Sequence, residues 1–330
     1  MAKLRMTLAC WDYDRTRALA DGSVPIEGVD LVYLTLPVEE TFFRMLRNRE
    51  FECAELSLSS YVASLERTDP PFIAIPVFPS RMFRHSGIFV ATASGIREPG
   101  QLVGKRVGNP EYQLTANVWI RGILAEEYGV PLESVEYLTG GLEEAGRIEK
   151  QKIDLPSGIR IGPIDAQQTL AQLLADGKID AIYAPRAPST LRTRPDAVRR
   201  LFEDYAAVER EYFRRTQIFP IMHTVAIRRD VYERNPWVAQ ALYKGFVAAQ
   251  RKAYADLDEV AALKTMLPWL PAHVAETRRE LGDDWWAYGL APNRHVLETF
   301  LRYHHEQGLS KRLHAPEELF APETLEAFRI

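Results

Sequence analysis

Short apolar runs alternate with amphipathic segments in the first part of the chain. The segment that begins at Val38 places Phe42, Met45 and Leu46 at helical spacing, which predicts a surface helix with one buried face. The apolar runs that have the length and composition of strands are LRMTLACW, GVDLVYLTL, CAELSLSSYV, FIAIPVFPS and GIFVAT. Strands that alternate with helices at this spacing indicate right-handed crossover units on a mainly parallel sheet.

The same alternation starts again after Gly95. KRVGNPEY, VEYLTGG and KIDAIYAP predict strands, and a helix is predicted between the first two. Residues 140–163 are rich in glycine and charge and predict no element. IFPIMHTVAIRRD then predicts a strand that returns to the first sheet. We therefore expect an α/β protein of two lobes with a ligand cleft between them, in which residues 1–91 and 217–330 form one lobe and residues 92–216 form a smaller inserted lobe.

The remainder of the chain is predicted to be mostly helical. Asn235 and Pro236 have the residue types preferred at the N-cap and at the first position of a helix. Pro292, Pro316 and Pro322 mark the starts of further helical segments.

Composition supports two ordinary globular domains. The length of 330 residues exceeds the roughly 250–300 residues at which single cores stop growing. A net charge of -4 without charged blocks gives no reason to expect nucleic acid or an anionic membrane as a partner.

Cys10 and Cys53 lie in apolar runs and predict buried thiols rather than disulfides. Because the N-terminus enters a strand without a leader-like segment, we expect a cytoplasmic protein.

The ends of several predicted strands carry polar and charged residues. These loops are WDYDR, SLSSY, FPSRMFRH, GNPEYQLT and YAPRAPS. Each admits a structural explanation, since Asp14 could cap a helix, Tyr112 could pack in a core and Arg186 could be a solvated cation. Ligands of open α/β sheets bind at the carboxyl ends of strands, so we expect the loops to converge. Arginines, serine hydroxyls and aromatic faces together suit an aromatic, multiply charged anion.

Two histidines lie close to these loops. His85 belongs to the cationic loop, and His223 lies inside an apolar run. A satisfied core histidine and a functional histidine remain open for both positions. No histidine spacing of the HExxH type occurs in the sequence.

The chain resembles the 4,5-dihydroxyphthalate decarboxylase family over essentially its whole length. The segments that carry the resemblance are LACWDYDRTRALADG, LPVEETFFRMLRNREFECAELSLSSYVASL, PFIAIPVFPSRMFRHSGIFV and GVPLESVEYLTGGLEEAGR, and FPSRMFRHSGI is the most specific. The resemblance implies the fold of type 2 periplasmic binding proteins in a cytoplasmic enzyme. It also implies a lyase of bacterial phthalate degradation that converts 4,5-dihydroxyphthalate to protocatechuate and carbon dioxide.

That reaction requires an acid, a base and a clamp for a carboxylate. We expect His85, with a pKa raised by the substrate's carboxylates, to protonate the ring, and Asp14 or His223 to accept the hydroxyl proton. Bidentate arginines suit a carboxylate clamp. The residues expected to bind the substrate are Arg81, Arg84, Ser59, Ser60, Tyr13, Tyr112 and Arg186.

Two alternatives remain at this point. The same fold could serve a non-catalytic protein that binds aromatic acids. A divalent metal ion held by His85, His223 and Glu55 could assist a decarboxylase or a hydrolase. The first interpretation needs no cofactor and no metal. Its partner is a small aromatic dicarboxylate, with no nucleic acid and no membrane, and a homo-oligomer is left open.

Overall fold

The chain forms two compact units, described here from a computed structural model that covers residues 3–147 and 155–326. Unit 1 consists of Met1–Arg81, Ile221–Glu298 and His314–Ile330, and unit 2 consists of Met82–Pro220 and Thr299–Leu313. The first crossing therefore comes about ten residues earlier than the predicted boundary. The second comes slightly later, and the segment Thr299–Leu313 adds to unit 2 without a signal in the sequence.

The predicted strands and helices occur in the predicted order, together with elements that the apolar pattern did not predict. The strands of the described residues are β1 (Leu4–Cys10), β2 (Val29–Thr35), β3 (Cys53–Ser57), β4 (Phe72–Ile75), β5 (Ile88–Ala91), β6 (Arg106–Asn109), β7 (Glu136–Thr139), β8 (Arg160–Pro163), β9 (Ala181–Tyr183), β10 (Val198–Arg200) and β11 (His223–Arg228). The helices are α1 (Asp14–Ala20), α2 (Val38–Asn48), α3 (Leu58–Leu65), α4 (Thr115–Tyr128), α5 (Leu170–Ala175), α6 (Thr190–Thr193), α7 (Tyr205–Thr216), α8 (Arg229–Arg234), α9 (Trp237–Asp258), α10 (Leu270–Leu281) and α11 (Arg294–Glu306). None of these helices is long and apolar enough to span a bilayer.

Unit 1 is built on a five-stranded mixed sheet in the order β2-β1-β3-β11-β4. β1 lies parallel to β2 and to β3, whereas β11 lies antiparallel to β3 and to β4. The returning strand β11 thus enters the middle of the sheet. As a result β3 has neighbours on both sides, and all five of its residues are buried.

Unit 2 contains a six-stranded sheet in the order β10-β5-β9-β6-β7-β8. The placement of β5 corrects the prediction that it continues the first lobe: β5 pairs antiparallel with β9, with Ile88 opposite Tyr183, and with β10. β8 and β10 were not predicted. β10 is only three residues long, and β8 is mostly exposed, so neither has an apolar pattern that could reveal it.

Two local predictions differ from the structure. The run CAELSLSSYV is not one strand, because α3 begins at Leu58, where Ser57 accepts a hydrogen bond from the Ser60 N–H at 3.4 Å. Asn235, predicted as the N-cap of the long helix, instead ends α8, and its Nδ2 donates to the Val231 carbonyl at 3.2 Å.

The late segment belongs to unit 2 because it packs on α4. The Trp119 ring lies 5.5 Å from the Phe300 ring and 5.7 Å from the Tyr303 ring. Any side chain at Gly122 would collide with the Tyr303 ring, so glycine is required for this approach. Arg121 also donates from Nε to Gln307 Oε1 at 2.8 Å.

Candidate active site

A fully buried carboxylate lies on the central strand of unit 1. Glu55 of β3 has no exposed surface. Because β1 runs parallel to β3 with Ala9 beside Ala54, the chain that leaves β1 passes the carboxylate directly. Oε2 accepts a hydrogen bond from the Trp11 N–H at 3.1 Å and a longer one from the Cys10 thiol at 3.5 Å. A buried carboxylate is stable only when it is paired or hydrogen-bonded in this way.

His223 reaches the same carboxylate from the returning strand. Val225 lies opposite Glu55 in the antiparallel pair, and His223 is two residues earlier on the same face of the sheet. Its Nδ1 lies 2.6 Å from Glu55 Oε1. The hydroxyl of Tyr13 donates to the same oxygen at 2.6 Å. The ring of Phe42 meets the imidazole edge-on at 4.9 Å and fixes its plane.

The hydrogen bonds to Glu55 keep its carboxylate ionised. Burial raises the pKa of Glu55, but the hydrogen bond and charge of His223 and the hydrogen bonds from Tyr13 and Trp11 outweigh it, so that the pKa lies below its usual value. Glu55 is therefore ionised near neutral pH and can only accept hydrogen bonds. His223 Nδ1 must then carry a proton, which leaves Nε2 as the atom that can exchange one. The side chain of His223 is 17% exposed. A bound molecule can therefore reach the imidazole and exchange a proton with Nε2.

Tyr13 acts only as a donor. Burial and then the negative charge of Glu55 raise its pKa, so its hydroxyl stays protonated.

Arg15 lies beside this cluster between two aromatic rings. Its guanidinium carbon is 4.1 Å from the ring centre of Tyr13 and 4.1 Å from that of Trp286. Its Nε donates to the Pro79 carbonyl at 2.6 Å, and its Nη1 pairs with Asp14 at 2.9 Å. The Asp14 side chain, predicted as a base, is more than half exposed and is the counter-ion of Arg15.

Arg81 and the two serines also belong to unit 1. Arg81 is buried, and its Nη2 donates to the Ala287 carbonyl at 2.7 Å and to the Asn293 side chain. Burial lowers its pKa to about 10. Ser59 and Ser60 are buried in the first turn of α3. Their predicted contacts with a substrate stay predictions.

His85 lies in unit 2, in surroundings opposite to those expected. It is 1% exposed, and its ring lies 5.1 Å from Tyr212, 5.3 Å from Phe202 and 6.0 Å from Tyr128. Neither ring nitrogen has a hydrogen-bond partner among the described residues. Burial and then the charge of Arg215 lower its pKa to about 4, and the rise expected from the carboxylates of a bound substrate stays a prediction. His85 is thus a neutral ring in an aromatic cage.

The other predicted contacts of unit 2 occupy three different environments. Arg84 is buried, and burial, opposed by the charge of Glu209, lowers its pKa to about 10. Tyr112 is fully buried, donates to the Gln307 carbonyl at 3.3 Å and lies under the guanidinium of Arg121. Arg186 is exposed. Their roles as substrate contacts stay predictions.

The three proposed metal ligands are divided between the two units. Glu55 and His223 are in contact, but His85 lies in the cage of unit 2. Within residues 3–147 and 155–326, no three histidine, cysteine, aspartate or glutamate side chains are arranged to hold a metal ion.

Sequence reasoning underestimated Glu55 and missed Arg15 and Trp286. Glu55 entered only as a metal ligand, although an ionisable residue inside the apolar run CAELS is itself a signal, because lone charges are rarely buried. Arg15 and Trp286 are far apart in the sequence, and no local pattern shows that they stack.

The chain is similar in sequence to two named proteins. No family model matches the chain. A 4,5-dihydroxyphthalate decarboxylase of Comamonas testosteroni is 44% identical over 330 residues, which is all of both chains. A protein of the same name from Pseudomonas putida is 42% identical over 214 residues, covering 65% of this chain and 83% of that one.

Among solved structures, the putative periplasmic sulfonate-binding protein of Methylobacillus flagellatus aligns with a TM-score of 0.56. The alignment covers 98% of this chain and 93% of that protein at 13% identity. At this identity the likeness shows the fold alone. The two α/β units thus have the fold of periplasmic binding proteins.

Proposed function

Because the chain belongs to the 4,5-dihydroxyphthalate decarboxylase family, we propose that it converts 4,5-dihydroxyphthalate to protocatechuate and carbon dioxide. The relative from Comamonas testosteroni matches along the whole chain, so both units are included. In the structure, the observation that carries the proposal is the buried, ionised Glu55 that holds the ring of His223. A protein that only binds an anion has no need of such a pair. The cytoplasmic location remains a prediction.

The reaction is difficult because direct loss of carbon dioxide would leave an aryl carbanion. Protonation of the ring carbon that bears the leaving carboxylate avoids this, while the hydroxyl para to it loses its proton and the ring becomes a dienone. The bond to the carboxylate then breaks, its electron pair returns to the ring, carbon dioxide leaves, and the resulting phenolate oxygen takes back its proton. The net change is one proton taken up and one carbon dioxide released for each dicarboxylate dianion.

His223 is the proposed proton carrier. With Nδ1 fixed on Glu55, its Nε2 delivers the proton to the ring carbon, and the carboxylate remains ionised beside the ring throughout. The same arrangement orients and supports histidine in many acid–base sites. Asp14 keeps its predicted role as acceptor of the hydroxyl proton, since its carboxylate is exposed next to Arg15.

We also propose that the reaction needs no metal ion. Both oxygens of Glu55 already accept hydrogen bonds, from His223 and Tyr13 on one and from Trp11 on the other. A metal ion on this carboxylate would have to displace these donors. The donor set therefore fits a proton carrier better than a metal centre.

The test is product formation by the purified protein. Incubation with 4,5-dihydroxyphthalate, with and without a chelator such as EDTA, is followed by carbon dioxide release and by chromatography of protocatechuate. We expect stoichiometric products and no effect of the chelator. Substrate that binds without turnover would support the non-catalytic alternative, and activity lost with chelator and restored by a divalent metal would support the metal-assisted one.

A further inference from the structure

Tyr288 has a buried hydroxyl without a hydrogen-bond partner among the described residues. The residue is 7% exposed, and its hydroxyl has no hydrogen-bond partner within residues 3–147 and 155–326. Buried polar groups are almost always hydrogen-bonded, because leaving one unsatisfied destabilises the fold. Such a hydroxyl is explained if another molecule completes its hydrogen bonds.

The chain around Tyr288 is held firmly in unit 1. The Ala287 carbonyl accepts from Arg81 at 2.7 Å, and the Gly289 N–H donates to the Pro76 carbonyl at 2.8 Å. Trp286, two residues earlier, donates from its indole nitrogen to the Phe78 carbonyl at 2.8 Å. The position of the Tyr288 hydroxyl is therefore set by its neighbours before any molecule binds.

Arg15 packs against the segment of chain that carries this hydroxyl. Its guanidinium stacks on Trp286 at 4.1 Å. Burial raises the pKa of Tyr288, and the charge of Arg15 is the largest influence that opposes it. The phenol of Tyr288 and the guanidinium of Arg15 thus act on each other.

One nitrogen of the Arg15 guanidinium is available to donate a hydrogen bond to a ligand. Its Nε and Nη1 are bonded to Pro79 and Asp14, but Nη2 has no hydrogen-bond partner among the described residues. The rings of Tyr13 and Trp286 fix the plane of the guanidinium from two faces. A planar cation held in this way is preorganised for a carboxylate.

We propose that Arg15 and Tyr288 form a subsite for the carboxylate that the substrate retains, an inference that rests on the proposed function. A carboxylate bound to a cation and a hydroxyl is stabilised as an anion, and so resists departure as neutral carbon dioxide. The group held there is the one that stays on the ring. Tyr13 links this subsite to the proton carrier, because it stacks on Arg15 and donates to Glu55, which holds His223.

Binding of phthalate and of catechol, measured by calorimetry, separates the carboxylate from the hydroxyl contribution. Phthalate has both carboxylates and no hydroxyls, and catechol has the reverse. Against the wild-type protein, we expect Tyr288→Phe and Arg15→Lys each to weaken phthalate binding roughly 10- to 100-fold, as for a hydrogen bond to a charged group. Catechol binding should be unchanged in both variants.

Tyr183→Phe is the matched control. Tyr183 is a fully buried tyrosine of unit 2 whose hydroxyl also has no partner among the described residues. Its variant should bind phthalate as the wild type does. Melting temperatures show whether each variant is folded, and Arg15→Lys still provides the test if Tyr288→Phe does not fold.

Three results would overturn the subsite. They are unchanged phthalate binding in Tyr288→Phe and Arg15→Lys, an equal loss of catechol binding, and no phthalate binding by the wild type. Turnover of 4,5-dihydroxyphthalate by the wild type tests the proposed function separately. An active enzyme whose variants bind phthalate normally would therefore refute the subsite alone.

Discussion

His223 in unit 1 and His85 in unit 2 are both largely enclosed, but their surroundings have opposite chemistry. The ring of His223 is held by the ionised carboxylate of Glu55 at 2.6 Å, and part of its surface is exposed. The ring of His85 touches three aromatic rings, and its pKa is lowered to about 4. The first environment supports proton transfer, and the second keeps the ring neutral. Of these two histidines, only His223 has a charged hydrogen-bond partner among the described residues.

The largest expected effect is on turnover. His223→Gln removes the proposed proton carrier, so we expect kcat to fall roughly 10²- to 10⁴-fold, the usual contribution of a general acid or base. His85→Gln should retain turnover per folded molecule. Initial rates and melting temperatures on the same preparations provide the measurement. A folded His223→Gln with normal kcat, or a folded His85→Gln without activity, would reverse the assignment.

The second effect is on stability at low pH. His85 has a pKa of about 4 when folded, against the reference value of 6.5, so between these values the unfolded chain binds a proton that the folded chain does not. The free energy of unfolding therefore falls as the pH drops from 6.5 to about 4, by about 3 kcal/mol for this residue. Above pH 6.5 the contribution of His85 does not change with pH.

His85→Phe isolates this contribution, because phenylalanine suits the aromatic cage and does not titrate. Urea unfolding of the wild type and the variant near pH 7 and near pH 4 gives the difference. We expect the variant to lose less stability on acidification, by about 3 kcal/mol. Equal losses would show that His85 is protonated in the folded state.

The sequence predicts the elements of the fold better than their assignment to units. The apolar runs identify β1, β2, β4 and β11, since each is long enough or apolar enough to stand out. The run GIFVAT has the same local pattern whichever sheet it joins, and only its pairing with β9 and β10 places it in unit 2. The segment Thr299–Leu313 joins unit 2 through contacts with Trp119 and Arg121, which no local pattern reveals.

The sequence predicts only part of the candidate site, because contacts between distant segments leave no local pattern. Tyr13 and His223 were chosen for their residue types and strand ends, and the structure brings both to Glu55. That contact depends on the register of β11 against β3, which a single sequence does not specify. His85 was chosen for its cationic neighbours, yet side chains next to each other in a loop point in different directions.

A smaller effect concerns the donors that keep Glu55 ionised. Tyr13→Phe removes a hydrogen bond to a buried charge, so we expect the free energy of unfolding to fall by about 2 kcal/mol near neutral pH. The pKa of Glu55 should rise, because one of the donors that lower it is gone. Since the folded pKa lies below the reference value of 4.5, the stabilisation from Glu55 is present above that value and is lost as the pH falls through the folded pKa. Acid unfolding of the variant should therefore begin at a higher pH than in the wild type, and an unchanged onset would contradict the role of Tyr13.

The smallest expected effect tests whether Tyr112 of unit 2 belongs to the core or to a binding site. Its hydroxyl donates to the buried Gln307 carbonyl at 3.3 Å, and the guanidinium of Arg121 lies 3.7 Å from the centre of its ring. Tyr112→Phe keeps the ring and removes one neutral hydrogen bond, so we expect the free energy of unfolding to fall by about 1 kcal/mol. KM and kcat should not change, because a fully buried side chain engaged with its own core has no surface left for a substrate. Urea unfolding and steady-state kinetics on the same variant measure both quantities. A clear rise in KM with normal stability would instead place Tyr112 in contact with the substrate, as its position after β6 first suggested.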